Sequence, residues 1–522
     1  MRLGFASIYS FRPHVEHLEY LAGLARSGGH EIEYLSCDAQ LSDCYARALK
    51  GTSKLVECPR CIAGGVRSYA AGGVSPLPSP PPGRVVLAPE RAREFAFSST
   101  CTVLRTEPRE QWQSVEFKAL EAALATAAAR AYGAAREWIT RARLDAVVCF
   151  NGRFEANRAL VEAAHDAGLP YLTVERTWFG DGLQFAIGAN CLDLTQLDRF
   201  NLRYRDLPLM RHQAQRVGRH LAARFLRRND KEWRAYNQRA QAIAWPASGA
   251  SGSGPRVLFV PSSRNEVDGH RDWQFGWAEL TEGLDAVLDA LKADPRSAVL
   301  RCHPNWGERI GRRSGELSER YYGGWAQRRG VHLMGSRDRA STSDLIEQAD
   351  VIVVTGGSAA FEAAALGKPV ICLAPAAYQT AGICAPVYAP ADLHLAARVF
   401  DGTPRERMRR ALRYGYTHIY RFSQYVDHVQ AVTTTRYRYF DGADPSRIER
   451  MLASGEVPAD DPMTAADADG EDAVLAMVEA RDWETLLAWR EPEPVRTEIQ
   501  VRRRPVLRWI DRVREWFPKG DR

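Results

Sequence analysis

ADVIVVTGGSAAFEAAALGKPVICL, residues 349–373, is the stretch that decides the fold class. An apolar run from Val351 to Val354 meets Thr355-Gly356-Gly357-Ser358. A helix-forming segment containing Glu362 follows, then Gly367-Lys368-Pro369 and a second apolar run. The order predicts strand, tight glycine turn, short helix and strand. Glycine lets backbone come close to a ligand, and a helix start offers N–H groups without intrahelical acceptors. Phosphates settle at such starts. Glu362 stands about one helical turn beyond Ser358, within reach of sugar hydroxyls. A turn that binds nothing would look the same, because glycine turns end many strands.

A second signal lies upstream at Ala298-Val299-Leu300-Arg301-Cys302-His303-Pro304-Asn305. A short apolar strand delivers Arg301, His303 and Asn305 to its end, and Pro304 stops further ladder pairing. Ligands of open α/β sheets bind outside the carboxyl ends of the strands, so both motifs are expected on one rim. Arginine and histidine beside a helix start suit a nucleotide mono- or diphosphate.

Three segments, VLFVPSSRNE (257–266), LRCHPN (300–305) and DVIVVTGGSAAFEAAALGKPVI (350–371), resemble the bacterial capsule polysaccharide biosynthesis proteins. FNGRFEANRALVEAAHDAGLPYLTVERTW (150–178) is similar to the N-terminal half of that family. The resemblance spans residues 1–390, dense in the second half and thin before residue 145. It implies an α/β chain of two Rossmann-like domains facing a cleft, the GT-B type, with C-terminal helices. It also implies transfer of a hexosyl or Kdo-like sugar from a nucleotide-sugar donor, CMP-activated sugars included, to a growing capsule or lipopolysaccharide glycan. By motif, His303 and Pro304 match the element that contacts the donor phosphate, Ser358 the phosphate-binding serine, and Glu362 the acidic residue of the following helix. An epimerase of the same fold and a non-catalytic glycan-assembly factor at the membrane are the alternatives.

Composition agrees with a multidomain globular protein. The 522 residues are 45% hydrophobic and 26% charged, ordinary globular values. A net charge of +6 is too mild to argue for nucleic acid, and no nucleic-acid partner is expected. No apolar run reaches the roughly 18–20 residues that span a bilayer, and MRLGFASIYSFRPH has no signal-peptide pattern. A cytoplasmic location, peripheral on the inner membrane, is the expectation.

Residues 1–245 read as an N-terminal, acceptor-binding domain. RLGFASIYSF predicts a strand, and a helix, a Gly-Gly break and another strand follow. A long Ala-rich helix is expected over 114–142, then strands at 145–150 and 170–176. Asn151, Glu175, Arg176 and Asp181 are placed at their rim. Residues 246–254 (PASGASGSG) read as a flexible linker. Residues 255–395 form the expected nucleotide-sugar-binding domain, 396–454 bracing helices, 455–495 an acidic linker region and 496–522 a basic amphipathic tail.

Sugar transfer with inversion needs a base near the acceptor hydroxyl. Glu266 and Asp268 follow the donor domain's first strand and are placed best. His14 and His17 follow the chain's first strand, and Glu175 and Asp181 lie on the later rim. Each also fits a plain loop or capping role. Ser262 and Ser263 bind phosphate or cap a turn. Cys37, Cys44, Cys58 and Cys61, spaced C-x6-C-x13-C-x2-C, are candidate ligands for structural zinc or an iron–sulfur cluster. They are followed by a Pro/Gly-rich loop at 70–83. The tail places Val506, Trp509, Ile510, Val513, Trp516 and Phe517 at near-helical spacing among arginines. It suits an anionic membrane surface, or docking on the protein's own surface.

Overall fold

The computed structural model describes residues 1–70, 73–79, 87–232, 236–246, 254–459, 461, 468–491 and 495–516. Most of the linker expected at 246–254, part of the Pro/Gly-rich loop, residues 460 and 462–467 of the acidic segment, and Phe517 lie outside the described residues.

The strands β1 (Arg2–Ser7), β2 (Glu31–Ser36), β3 (Val74–Pro76), β4 (Ala146–Phe150), β5 (Tyr171–Arg176) and β6 (Leu183–Ile187) form one sheet, ordered β3-β2-β1-β4-β5-β6. A second sheet contains β7 (Val257–Val260), β8 (Val299–Arg301), β9 (His332–Met334), β10 (Val351–Val354), β11 (Val370–Cys372) and β12 (Ala385–Pro386). Its order is β9-β8-β7-β10-β11-β12. Described pairings are parallel except β5 with β6. Each sheet starts at its centre, winds outward to one edge, then returns to build the other. The same doubly wound order therefore occurs twice, and the strand order reverses beside β1 and beside β7. Helices cover both faces of such sheets, so the central strands read as unbroken apolar runs. All residues of β4 and β10 are buried. The fold is the expected α/β class, two Rossmann-like units across a cleft.

The two units touch along the rims that carry the strand ends. Thr102 Oγ1 donates to the Asn265 carbonyl at 3.1 Å, Arg105 Nη2 to the Asn305 carbonyl at 2.8 Å, and Trp273 Nε1 to the Leu192 carbonyl at 2.7 Å. Residues Leu209 to Ala222 of the helix Arg211–Phe225 and its approach, although N-terminal to residue 245, bury their apolar side in the second unit's core with Leu258, Ile352 and Phe361.

The C-terminal third departs from expectation in two places. The stretch 396–454, expected as bracing helices, contains helices Pro404–Tyr416 and Arg447–Ser454. Between them lies an antiparallel hairpin, β13 (Val429–Thr433) with β14 (Arg436–Phe440). The sequence VQAVTTTRYRYF is rich in β-branched and aromatic residues with period two, which a pleated surface accepts better than a helix. Val429, Tyr439, Ile448 and Met451 of this segment pack in the first unit's core. Within the stretch expected as an acidic linker, helices Ala468–Glu479 and Trp483–Ala488 are folded against the second unit. Val474, Leu475, Val478 and Leu486 are buried there, and fully buried Glu471 pairs with Arg413 at 2.7 Å. High acidity masked a 3–4 apolar spacing. Among the described residues no helix is long and apolar enough to cross a membrane.

The expected Ala-rich helix runs Val115–Ala142, with Ser114 Oγ accepting from the Phe117 N–H at 3.2 Å as its N-cap. Alanines 127, 128, 131, 134 and 135 are buried, which brings the helix close to its neighbours. Near its end Trp138 reaches over β1, where Gly4 leaves room for the indole. A Cβ on Gly4 would stand 2.5 Å from both Trp138 Cη2 and Leu144 Cδ1. Gly4→Ala is therefore expected to lower stability by about 1–3 kcal/mol through overpacking, read as a reduced urea midpoint at unchanged slope.

Candidate functional site

The second unit's strand order reverses between β7 and β10, and the loops leaving these two strands meet there. The Ser262 N–H donates to Thr355 Oγ1 at 2.8 Å, joining the β7 loop to the glycine turn. Gly356 has φ +121°, a conformation that favours glycine, and an added Cβ would meet Arg264 Nη1 at 3.3 Å. Gly357 is equally close-set, with its would-be Cβ 3.3 Å from Ser262 Cβ. Ser358 opens the helix Ala359–Ala365. Beside it, Ser263 Oγ of the β7 loop donates to Asn305 Oδ1 at 2.7 Å and accepts from Trp306 Nε1 at 3.0 Å, both from the turn after β8. The serine is thus held by two partners. His303 Nδ1 accepts the Asn305 N–H at 3.2 Å, which assigns the ring proton to Nε2 as a donor. Pro304 opens the 3-10 turn Pro304–Gly307. Ser262, Ser263, His303, Pro304, Asn305, Gly356, Gly357 and Ser358 thus occupy one rim.

Two of the expected donor-site residues are committed elsewhere. Arg301 is buried and donates to the carbonyls of Gly335 and Asp338, so its guanidinium orders the loop after β9. Glu362 accepts from Arg224 Nη2 at 2.5 Å, and the same nitrogen lies 3.2 Å from Ser358 Oγ. Arg224 also pairs with Glu232 at 3.3 Å, which in turn faces His220 at 3.2 Å. Burial opposes both charges, yet the pairing keeps the Arg224 guanidinium protonated and the Glu232 carboxyl ionised. Arg224, Glu232 and His220 come from a segment without any motif, and their proximity to Ser358 follows only from packing.

Arg264 was equally silent in the sequence. It is buried, donating from Nη1 to the carbonyls of Thr355 (3.2 Å) and Pro375 (3.3 Å) and from Nη2 to that of Trp273 (2.6 Å). Its ring-side neighbours are Trp273 and Phe275. Arg264 also lines a cavity of about 320 Å³ between the two units. Phe97, Glu107, Arg109 and Trp112 line it from the first unit, and Asp268, Trp273, Phe275 and Tyr322 from the second. Glu107 Oε1 accepts from Ser318 Oγ at 3.0 Å. Among the described residues, Glu107 Oε2 and Asp268 Oδ2 are buried without a hydrogen-bond partner. Burial, reinforced by the neighbouring Asp268 charge, raises the Glu107 carboxyl to about 8. Burial raises Asp268 to about 7, against the pull of Arg264 and Arg109. Glu266, on the same loop, is exposed.

In the first unit, the order reverses between β1 and β4. His14 stacks on Phe150 at 3.9 Å between ring centroids, with Nε2 3.4 Å from Glu175 Oε1. Asn151 Nδ2 donates to Glu175 Oε2 at 2.7 Å. Burial pushes His14 well below and Glu175 above their ordinary ranges, so the contact sets a neutral imidazole beside the carboxyl and is not an ion pair. His17 is turned away to Tyr439 at 3.0 Å, and burial lowers it to about 3. Asp181 accepts from the Ala431 N–H at 2.8 Å and pairs with Lys231, holding the hairpin rather than facing the rim.

Cys37, Cys44, Cys58 and Cys61 line a single small cavity of about 30 Å³ under the end of β1. Burial raises the thiols of Cys37 and Cys61 and brings Cys44 to about 12. Backbone N–H groups of Leu41 and Gln40 at Cys37, of Arg47 at Cys44 and of Ser10 at Cys61 act in the opposite sense, favouring thiolates. Among the described residues, no group of three or more His, Cys, Asp or Glu side chains converges as a single metal ion would require.

No family model matches the chain, and no curated protein does. Among solved structures, the KpsC beta-Kdo 2,4 transferase of Thermosulfurimonas dismutans is 20% identical, covering 49% of this chain and 79% of that one with a TM-score of 0.30. A putative UDP-N-acetylglucosamine 2-epimerase from Listeria monocytogenes is 11% identical over 88% of this chain and 99% of that one, TM-score 0.30. The Methanocaldococcus jannaschii UDP-GlcNAc 2-epimerase, in complex with UDP-GlcNAc and UDP, is 10% identical over 87% and 100%, TM-score 0.29. At such values these likenesses assign neither ligand nor reaction. The class defined by the strand order is a two-unit, doubly wound α/β protein.

The raised carboxyls set a pH dependence. Unfolded, Glu107 and Asp268 lose protons in the ordinary carboxylate range; folded, they do so at about 8 and about 7. Between these ranges the folded state binds more protons, so the pair's contribution to stability falls as pH rises from about 5 to about 8. Glu107→Gln is expected to flatten the fall in melting temperature over that interval, and an unchanged slope would contradict the raised carboxyl.

Proposed function

We propose that the protein is a nucleotide-sugar-dependent glycosyltransferase whose donor binds at the β7/β10 rim. The observation that carries this is the meeting of the Ser262–Ser263 loop, the His303-Pro304-Asn305 turn and the Gly356–Ser358 turn at the reversal of strand order, where doubly wound sheets take their ligands. His303 Nε2–H and the N–H groups opening the Ala359 helix would hold the leaving phosphate, and the close-set glycines admit it to the backbone. Arg224, the cation nearest Ser358, would supply the positive field in place of Arg301. Glu362, already bonded to Arg224, would orient that guanidinium.

The acceptor, a glycan or glycolipid of capsule or lipopolysaccharide type, would enter between the units on the cytoplasmic side of the inner membrane. Asp268 is assigned the acceptor's proton. A carboxyl raised to about 7 is matched to accepting a proton near neutrality, and among the described residues its Oδ2 has no hydrogen-bond partner. As the acceptor oxygen bonds the anomeric carbon, that proton passes to Asp268 and the bond to the nucleotide phosphate breaks. Glu266 is too exposed for this part. If Asp268→Asn turns over normally, the base is the His14–Glu175 pair instead.

Thermal-shift measurements against CMP, UDP, GDP and dTDP test the donor pocket. One nucleotide is expected to raise the melting temperature, and His303→Ala to remove most of that rise while leaving the unliganded melting temperature in place. No rise with any of the four would favour a non-catalytic glycan-assembly factor. Product formed from the donor alone would mark an epimerase.

The thiols lining the cavity under β1 are proposed to hold a metal centre. Their common cavity supports this. Zinc and an iron–sulfur cluster are the two centres that four cysteines in this spacing would take. Anaerobically purified protein is expected to contain iron and acid-labile sulfide that Cys58→Ser/Cys61→Ser loses. Zinc near one equivalent would favour the ion, and folded protein free of both would remove the proposal.

A further inference from the structure

The C-terminal tail is anchored through its polar side, not its apolar one. Arg503 is 2% exposed. It donates to Asp511 Oδ1 at 2.9 Å and to the Ala63 carbonyl, and its guanidinium lies 5.0 Å from the Tyr69 ring centre. Arg12, in the loop between β1 and the helix His14–Ser27, donates to the same Asp511 oxygen at 2.6 Å and to Tyr69 at 2.8 Å. The Arg504 N–H and Nε bond the carbonyls of Ser68 and Ala70. Although burial opposes it, the bonds from Arg503 and Arg12 keep Asp511 ionised. The helix Arg508–Trp516 is therefore held against the first unit by its one early acidic residue.

That attachment leaves an apolar face outward. Val506, in the 3-10 turn Pro505–Leu507 just before the helix, is 75% exposed, and Trp509 and Val513, four residues apart on one helix face, are 55% and 41% exposed. Arg502, Arg508 and Arg512 are exposed beside them. Docking of the tail's apolar stripe on the protein itself, one of the two sequence readings, is therefore excluded for these three residues. A second exposed apolar pair, Leu55 and Val56, flanked by exposed Lys54 and Arg60, lies on the helix Lys54–Gly64 whose Ala63 carbonyl Arg503 holds.

We propose that this face, Val506, Trp509 and Val513 with Arg502, Arg508 and Arg512, docks the first unit on an anionic phospholipid bilayer. Charge complementarity selects that occupant. Five arginines and one aspartate lie between residues 500 and 513, and the aspartate is turned inward to Arg12 and Arg503. A tryptophan and two valines between cationic side chains match the headgroup boundary, where an aromatic ring and short apolar groups sit below the phosphates. An exposed apolar face attached by fixed ion pairs, rather than by a loose linker, would orient the protein as well as bind it. The inference does not depend on the nucleotide-sugar assignment.

Flotation of the full-length protein with vesicles tests it. Wild-type protein is expected to float with phosphatidylglycerol/phosphatidylethanolamine vesicles and not with phosphatidylcholine, and high salt should weaken the association. Trp509→Glu/Val513→Glu and Arg508→Glu/Arg512→Glu, both at exposed positions, should each lower partitioning by about tenfold or more. Should one variant fail to fold, the other decides. Wild-type protein that does not float, equal binding to phosphatidylcholine, or variants that float as well as wild type would overturn the proposal. So would a dimer in sedimentation velocity that Trp509→Glu/Val513→Glu abolishes while vesicle binding persists, since the face would then belong to a second copy. Nucleotide-induced thermal shifts, measured on the same variants, are expected to be unchanged, which separates failure of this proposal from failure of the donor-site assignment.

Discussion

The buried guanidinium of Arg264 is the constraint on which the rim of the second unit depends. Its bonds to the carbonyls of Thr355, Pro375 and Trp273 tie the loops after β7, β10 and β11 to one planar group. These carbonyls have left their strands and have no ladder partner, so an unpaired buried acceptor would be costly at each. One rigid fork satisfies three of them, and its planarity sets the spacing between the loops. Gly356 owes its absent side chain to the same group, because a Cβ there would crowd Arg264 Nη1. The arginine also lines the inter-unit cavity and supplies positive charge that partly offsets the burial of Asp268.

The two sheets make the site by repetition. Each is doubly wound in the same order, so each has a reversal point where two loops diverge and leave a crevice. One crevice gathers hydroxyls, an amide, an imidazole and close-set glycines. The other gathers a neutral histidine, a carboxyl and an amide. Hydrogen bonds from the 102–105 segment to Asn265 and Asn305 hold the rims together, so side chains distant in sequence share a single small volume. The carboxyls of Glu107 and Asp268, one from each unit, are the clearest product of that closure, because both line the cavity between the units.

What was legible follows from range. The strand–turn–helix–strand at 349–373 could be read because its signals are local: a four-residue apolar run, adjacent glycines and a short alanine-rich segment. The His-Pro-Asn turn was legible for the same reason. Arg301 and Glu362 were found by the sequence but not understood. Each carries a charge whose partner, the Gly335 and Asp338 carbonyls or Arg224, is supplied by another part of the chain. The hairpin at 429–440 was hidden by helical neighbours on both sides. The helix Ala468–Glu479 was hidden by acidic residues that turn out to face arginines of the helix Pro404–Tyr416.

By itself, the sequence determined the α/β class, the position of the second unit's central strands, the rim motifs, the four clustered cysteines and the amphipathic pattern of the tail. These depend on residue spacing within a few turns or one strand length, where backbone geometry alone dictates which side chains share a face. Tertiary structure decided which of the charged residues are occupied, which carboxyls are pushed toward neutrality, and which side of the tail faces out. Those properties depend on desolvation and on charge partners brought from far along the chain, and neither exists until the two units have packed.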